Sequence, residues 1–353
     1  MQFWPSLRDW IQQAMSLDRE WVVDEQGCMT WWGWHFPQHV EYLDEPGDEL
    51  GYITGRVRIS TTIGTVTPEA RLYVAAILND WNQDATGALG LMDPDTGMVH
   101  LGVAIPVTET NSALLAHLIV GFLPRQAAYA TQLARYLHAQ GLVDSQHFTV
   151  ARTPHPQFGI REHPDELVTL YLDGVRDGIS LDAYDNTEVH SQTAQRIQQA
   201  LPFEPGFTNI EQGVRNFQLK EDPHQWVGYR CGEMSEGGLL SVGPLLHVRA
   251  STPNASVIVN GGDPAKANAI FLTHANWHAW NQPWLPMLGA WTPGMPIDDD
   301  YTLPAVSALI PPAALPRGNE TSPEERAAIL QNLLVYVFHQ ANAGALLTHR
   351  VYS

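Results

Sequence analysis

An internal repeat constrains this chain more than any other feature. Sliding the sequence on itself by 199 residues sets Ala70, Ala76, Trp81, Asn82, Gln83, Leu89, Gly90 and Pro94 on Ala269, Ala275, Trp280, Asn281, Gln282, Leu288, Gly289 and Pro293. That is eight identities in 25 positions, where chance supplies on the order of two at ordinary composition. The flanks agree in order. Upstream, Val57-Arg58-Ile59-Ser60 is similar to Val248-Arg249-Ala250-Ser251; downstream, Gly97-Met98 matches Gly294-Met295 and Ile105-Pro106 matches Ile310-Pro311. The chain therefore reads as two copies of one unit.

The first copy shows the element order best. Ser6 and Asp9 look like a capping box, and Leu7, Trp10, Ile11, Ala14 and Met15 share a helical face. Strands are predicted at Trp21 to Asp24, Cys28 to Trp34 and Tyr52 to Thr61, with the turn Glu45-Pro46-Gly47-Asp48 before the last. Thr67-Pro68 opens a second helix with Ala70, Tyr73, Val74, Ile77, Leu78 and Trp81 on one stripe. A hairpin follows: Ala88 to Met92, the turn Asp93-Pro94-Asp95-Thr96-Gly97, then alternating Val99, Leu101, Val103, Ile105 and Val107. Leu115, Leu118, Ile119 and Phe122 mark a closing helix that Pro124 kinks or ends. The expected order is α-βββ-α-ββ-α, an α+β fold with antiparallel sheets.

In the second copy, Ser322-Pro323-Glu324-Glu325 is a capping box opening a helix with Leu330, Leu333, Leu334 and Val337 inward. The expected division is a first copy over 1–140, a linker or insertion of uncertain fold over 141–190, and a diverged second copy over 191–353. Candidate helices at Pro164 to Leu172 and Ser191 to Leu201 lie in the poorly patterned middle.

Size and charge narrow the function. A chain of 353 residues with 44% hydrophobic and 16% charged residues can bury a sizeable core. Its 19 basic against 38 acidic residues leave a net charge of −19, which repels phosphate backbones and anionic lipid. No nucleic-acid and no membrane partner is expected. The longest apolar stretch, Ala113 to Leu123, falls far short of the roughly 20 residues of a span. The start MQFWPSLRDW has neither a positive n-region nor an apolar h-region, so a cytoplasmic location is expected. Cys28 and Cys231 form no metal knuckle or disulfide framework, and read as structural thiols.

A helix ending in Leu78-Asn79-Asp80-Trp81-Asn82, set between a strand meander and a hairpin that runs into an amphipathic helix, resembles the YbjN-like branch of the type III secretion chaperone-like superfamily. The resemblance covers residues 5–139 and, more weakly, Trp280-Asn281-Gln282 onward. It implies a tandem of chaperone-like modules that binds a protein partner and carries no catalytic residues or cofactor. In that family the modules dimerise, so a fused pair implies a monomeric pseudo-dimer, with a homodimer as the other assembly.

Few residues offer chemistry. Trp81-Asn82-Gln83 and Trp280-Asn281-Gln282 read as a structural motif of the repeat, with each Asn free to bond the helix terminus or the next turn. His274 and His278 sit at i and i+4, a spacing that zinc sites use, with Asp298, Asp299 or Asp300 as a third ligand. That pair defines the alternative reading, a metal-dependent hydrolase, although the Glu of HExxH is missing. His35 and His39 flank a Pro beside Trp31, Trp32 and Trp34, a segment that could stack sugars if exposed and otherwise fills core. Cys231 has Arg230 as neighbour and His224 not far in sequence, which could activate a thiol only if the cation faced it. The paired glycines at 237–238 and 261–262 lack the residues of a phosphate cradle. The reading reached is a non-enzymatic module binding an unknown polypeptide, as chaperone or regulatory adaptor.

Overall fold

The computed structural model describes residues 3–14, 22–44, 54–143, 181–251 and 257–352, with short breaks inside these ranges. The first half runs α1 (Phe3–Ala14), β1 (Val22–Glu25), β2 (Cys28–Trp31), β3 (Gln38–Leu43), β4 (Gly55–Thr65), α2 (Arg71–Asp84), β5 (Leu89–Met92), β6 (Met98–Val107) and α3 (Ser112–Ala139). The second half runs α4 (Thr187–Ala200), β7 (Phe203–Asn209), β8 (Val214–Leu219), β9 (Trp226–Glu233), β10 (Pro244–Ser251) and β11 (Val257–Ile258). It continues with α5 (Pro264–Asn281), β12 (Ala290–Thr292), β13 (Pro296–Asp298), β14 (Tyr301–Thr302), β15 (Ala305–Ile310) and α6 (Pro323–Tyr352). The fold is α+β, and every strand pairing described is antiparallel.

Two six-stranded sheets follow the same path. One has the order β1-β2-β3-β4-β6-β5 and the other β7-β8-β9-β10-β15-β12, while β11, β14 and β13 form a small extra sheet in the second half. Each six-stranded sheet therefore takes four strands from before its middle helix, not the three expected. The extra strand in the first half is β3, whose inward Gln38 and Val40 alternate with partly exposed neighbours. Its period of two was present in the sequence but sat directly behind the irregular Trp/His/Pro run.

Local chemistry explains most element ends. The turn between β5 and β6 closes by the Gly97 N–H donating to Asp93 O at 2.9 Å and the Thr96 hydroxyl to Asp93 Oδ2 at 2.7 Å. Gly97 sits at φ +75°, a conformation that favours glycine. At α6 the expected capping box forms: the Glu325 N–H donates to Ser322 Oγ (3.2 Å) and the Ser322 N–H to Glu325 Oε2 (2.7 Å). The box expected at Ser6 and Asp9 does not form. Helix α1 starts earlier, at Phe3, and Asp9 instead pairs with Arg8 at 2.8 Å. Pro124 does not end α3, which runs on to Ala139; Phe122, Leu123, Ala127 and Ala130, all buried around it, hold the helix together.

The halves share their interior. One apolar cluster joins Trp4, Ile11, Val40, Ile119 and Phe122 to Phe217, Tyr229, Trp291 and Val337; a second joins Leu78, Trp81 and Leu133 to Ala279, Trp280 and Met287. The middle helices α2 and α5 pack on each other, and the Asn79 amide donates to Ala269 O at 3.3 Å. Ala104 and Met287 exchange backbone hydrogen bonds of 3.0 and 2.8 Å. The outer face of β4 and β6 is closed by the end of α5. There Arg58 lies 3.8 Å over the Trp280 ring, His100 stacks on Trp277, and Arg56 donates to the carbonyls of Trp280 and Gln282. Among the described residues no helix is long and apolar enough to cross a membrane.

Candidate functional site

The repeat phrases do different work in the two halves. Trp81 donates its indole N–H to Ala88 O at 2.9 Å, and Asn82 brackets Gly90, donating to its carbonyl (3.0 Å) and accepting its N–H (2.6 Å). The same two-way bracket in the second half belongs to Asn276, which donates to Trp291 O (3.1 Å) and accepts its N–H (2.7 Å). Asn281 only donates to Trp277 O within its own exposed helix end, and Trp280 faces the other half's sheet. The structural offset is 276 − 82 = 194 in the helix and 291 − 90 = 201 on the next strand, so an ungapped match at 199 catches the repeat between its true registers.

The residues expected to carry chemistry are placed as follows. His274 is half-buried, and burial with the neighbouring His278 pushes its pKa below the usual value, against the opposing pull of Asp95 from the β5–β6 turn. Among the described residues no group of three His, Cys, Asp or Glu side chains could hold a metal. The side chain of Asp298, and all of Asp299 and Asp300, lie outside the described residues, as do His35, His224, Trp32, Trp34, the helix expected at 164–172 and both glycine pairs. Trp31 is buried and offers no sugar platform, while His39 meets Thr30 Oγ1 at 3.0 Å. Burial pushes the Cys231 thiol up to about 12, with Asp185 adding to the effect. It is protonated at neutral pH and is no nucleophile.

The most chemistry-rich cluster escaped the sequence reading. The turn Leu181–Ala183 lies against β9 and β10, with Tyr184 fully buried and its hydroxyl donating to Pro316 O at 2.9 Å. This turn packs on strands of the second half. Asn186 then caps α4 by accepting the Val189 N–H at 2.9 Å. That cap sets Asp185 just before the helix and His190 one turn into it.

Beneath α4, Arg215 of β8 is the direct cross-strand partner of Tyr229 of β9. The His190 ring lies 5.8 Å from Phe217 and 6.4 Å from Tyr229 between centroids. Arg215 Nη2 reaches Asp185 Oδ1 at 3.4 Å. Burial pushes the Tyr229 phenol well up. It pushes His190 down, with help from the Arg215 charge and against Asp185, so the phenol is protonated and the imidazole neutral at pH 7. Arg215 Nη1, His190 Nδ1 and the Tyr229 hydroxyl are all buried, and none has a hydrogen-bond partner among the described residues.

The first half builds the same place from apolar residues. Ile105 pairs with Val57 and Ile310 with Leu246; one strand further, Val57 pairs with Tyr42 and Leu246 with Cys231. Continuing inward, Val40 and Met29 occupy the positions of Tyr229 and Arg215. Both are fully buried. In sequence the only sign of the site is an Arg and a Tyr on inward strand positions, and the strands carrying them lay in the unpatterned middle.

Compared with family models, with curated proteins and with solved structures, the chain gives no match.

Proposed function

We propose that this chain is a non-catalytic binding protein for a polypeptide, built as an internal pair of similar modules. The observation that carries this reading is the outer edge of the first sheet. β1 ends the strand order with β2 as its neighbour on one side, and its Val23 is 44% exposed. Such an edge accepts an extended segment by backbone pairing, with alternate side chains setting specificity. Exposed Trp10 on α1, and Leu72 and Tyr73 at the start of α2, add apolar contact surface. The buried polar side chains, by contrast, are mostly used in holding elements together: Gln340 bonds both backbone groups of Gly289, and Arg326 donates to the carbonyls of Gly318 and Thr321.

The test is capture of partners by the tagged chain from its host, compared with Asp24→Pro, which removes an N–H that points away from β2 and so blocks edge pairing. A near-stoichiometric polypeptide that is retained by the native chain and lost with Asp24→Pro supports the reading. A polypeptide bound equally by both moves the contact off this edge, and no polypeptide at all refutes the reading.

A further inference from the structure

The register of β1 fixes which of its groups face away from the sheet. The Tyr42 N–H donates to Gly27 O at 2.8 Å, so the backbone groups of Gly27, Met29 and Trp31 turn toward β3 and those of Cys28 and Thr30 toward β1. Val23 and Glu25, opposite Thr30 and Cys28, therefore spend their backbone groups on β2. Val22 and Asp24 point theirs outward, where the strand order ends. An added strand would bond to these two residues, and its residue opposite Val23 would stand in the closely spaced, non-bonded position.

The side chains along this edge differ by face. Val23, 44% exposed, is open to an apolar neighbour. On the other face Val22 packs on the core, and Asp24 pairs with Arg8 of α1 at 2.6 Å. Arg8 also holds Asp9 at 2.8 Å, so among the described residues one cation serves two carboxylates here. Both carboxylates stay within reach of a partner, with the Asp9 and Asp24 side chains 68% and 38% exposed. The place is short of one cation, on a chain whose net charge is −19. A second copy of this chain would bring the same excess of carboxylates to the edge and be repelled, whereas a basic residue opposite Asp24 completes the balance.

We propose that the β1 edge takes up an extended, basic polypeptide segment in which Lys or Arg alternates with apolar residues, the basic side chain lying opposite Asp24 and an apolar one opposite Val23. This names the partner chemistry of the edge-strand reading above and rests on it.

The test titrates the full chain into short fluorescently labelled peptides that alternate Val with Lys, Val with Ser or Val with Glu, followed by anisotropy. The Lys peptide is expected to bind tightest and to weaken as salt rises, and the Glu peptide to bind weakest. Asp24→Asn, which keeps the backbone N–H, should weaken the Lys peptide about 2- to 5-fold, the worth of one exposed ion pair, and leave the Ser peptide unchanged. Asp24→Pro should release both; if that variant does not fold, Asp24→Asn carries the test. Equal binding of the Lys and Ser peptides, both lost with Asp24→Pro, overturns the basic partner and leaves the edge reading standing. Lys-peptide binding that survives Asp24→Pro overturns the proposal together with the edge, and binding that Asp24→Asn does not weaken overturns it alone. No binding of any peptide also overturns it, and capture from the host then decides the edge reading separately. A dimer in sedimentation that Asp24→Pro dissolves gives the edge to a second copy and likewise overturns the proposal.

Discussion

The two halves trace the same strand path, yet they spend the space between the first helix and the sheet differently. Under α1 the first half stacks Trp4 on Tyr42 and buries Met29 and Val40; under α4 the second half places His190, Arg215, Tyr229 and Asp185. One topology thus carries a mainly apolar version and a more polar version of the same layer. The first half shows that apolar side chains can fill these positions.

The largest expected effect tests whether the halves are one body. Trp280→Ala removes a nearly buried ring that fills the space over Gly102 and beneath Arg58. It should cost about 3–5 kcal/mol in urea unfolding. If the halves were separate bodies, the transition would split into two and only one would move.

Next come the brackets. Asn82→Ala and Asn276→Ala each strip a strand residue of two bonds and should each cost about 2–3 kcal/mol, whereas Asn281→Ala should stay within about 0.5 kcal/mol. An Asn281 effect as large as that of Asn276 would restore the Trp-Asn-Gln phrase as the true repeat.

A pH titration sharpens the comparison further. Burial lowers the pKa of His100 and His117 in the first half, and of His190 and His274 in the second. The unfolded chain then binds protons near pH 6.5 that the folded chain refuses, so stability is full above that value and falls as the pH drops through it toward the folded pKa values. His190→Gln should flatten this slope measurably in chemical unfolding at a series of pH values. An unchanged slope would mean that His190 titrates alike in both states.

The smallest effect has the opposite sign. Arg215→Met copies the first half and should be neutral or stabilising by up to about 1 kcal/mol. A clear loss would show that the ion pair with Asp185 supports the fold.

The sequence by itself determined the α+β class, the hairpin turn at Asp93 to Gly97 and the capping box at Ser322, because each rests on contacts within a few residues or on a periodic apolar face. The fourth strand was legible in Gln38 to Leu43 but was hidden behind an aromatic run. Other features only the tertiary structure decided. That Asn276 rather than Asn281 brackets a strand depends on how far α5 reaches before the chain turns back, a length that identity counting cannot see. The pairing of Arg215 with Tyr229 under His190 joins three elements separated in sequence, and it is set by strand register, where a shift of one residue would turn every side chain to the opposite face.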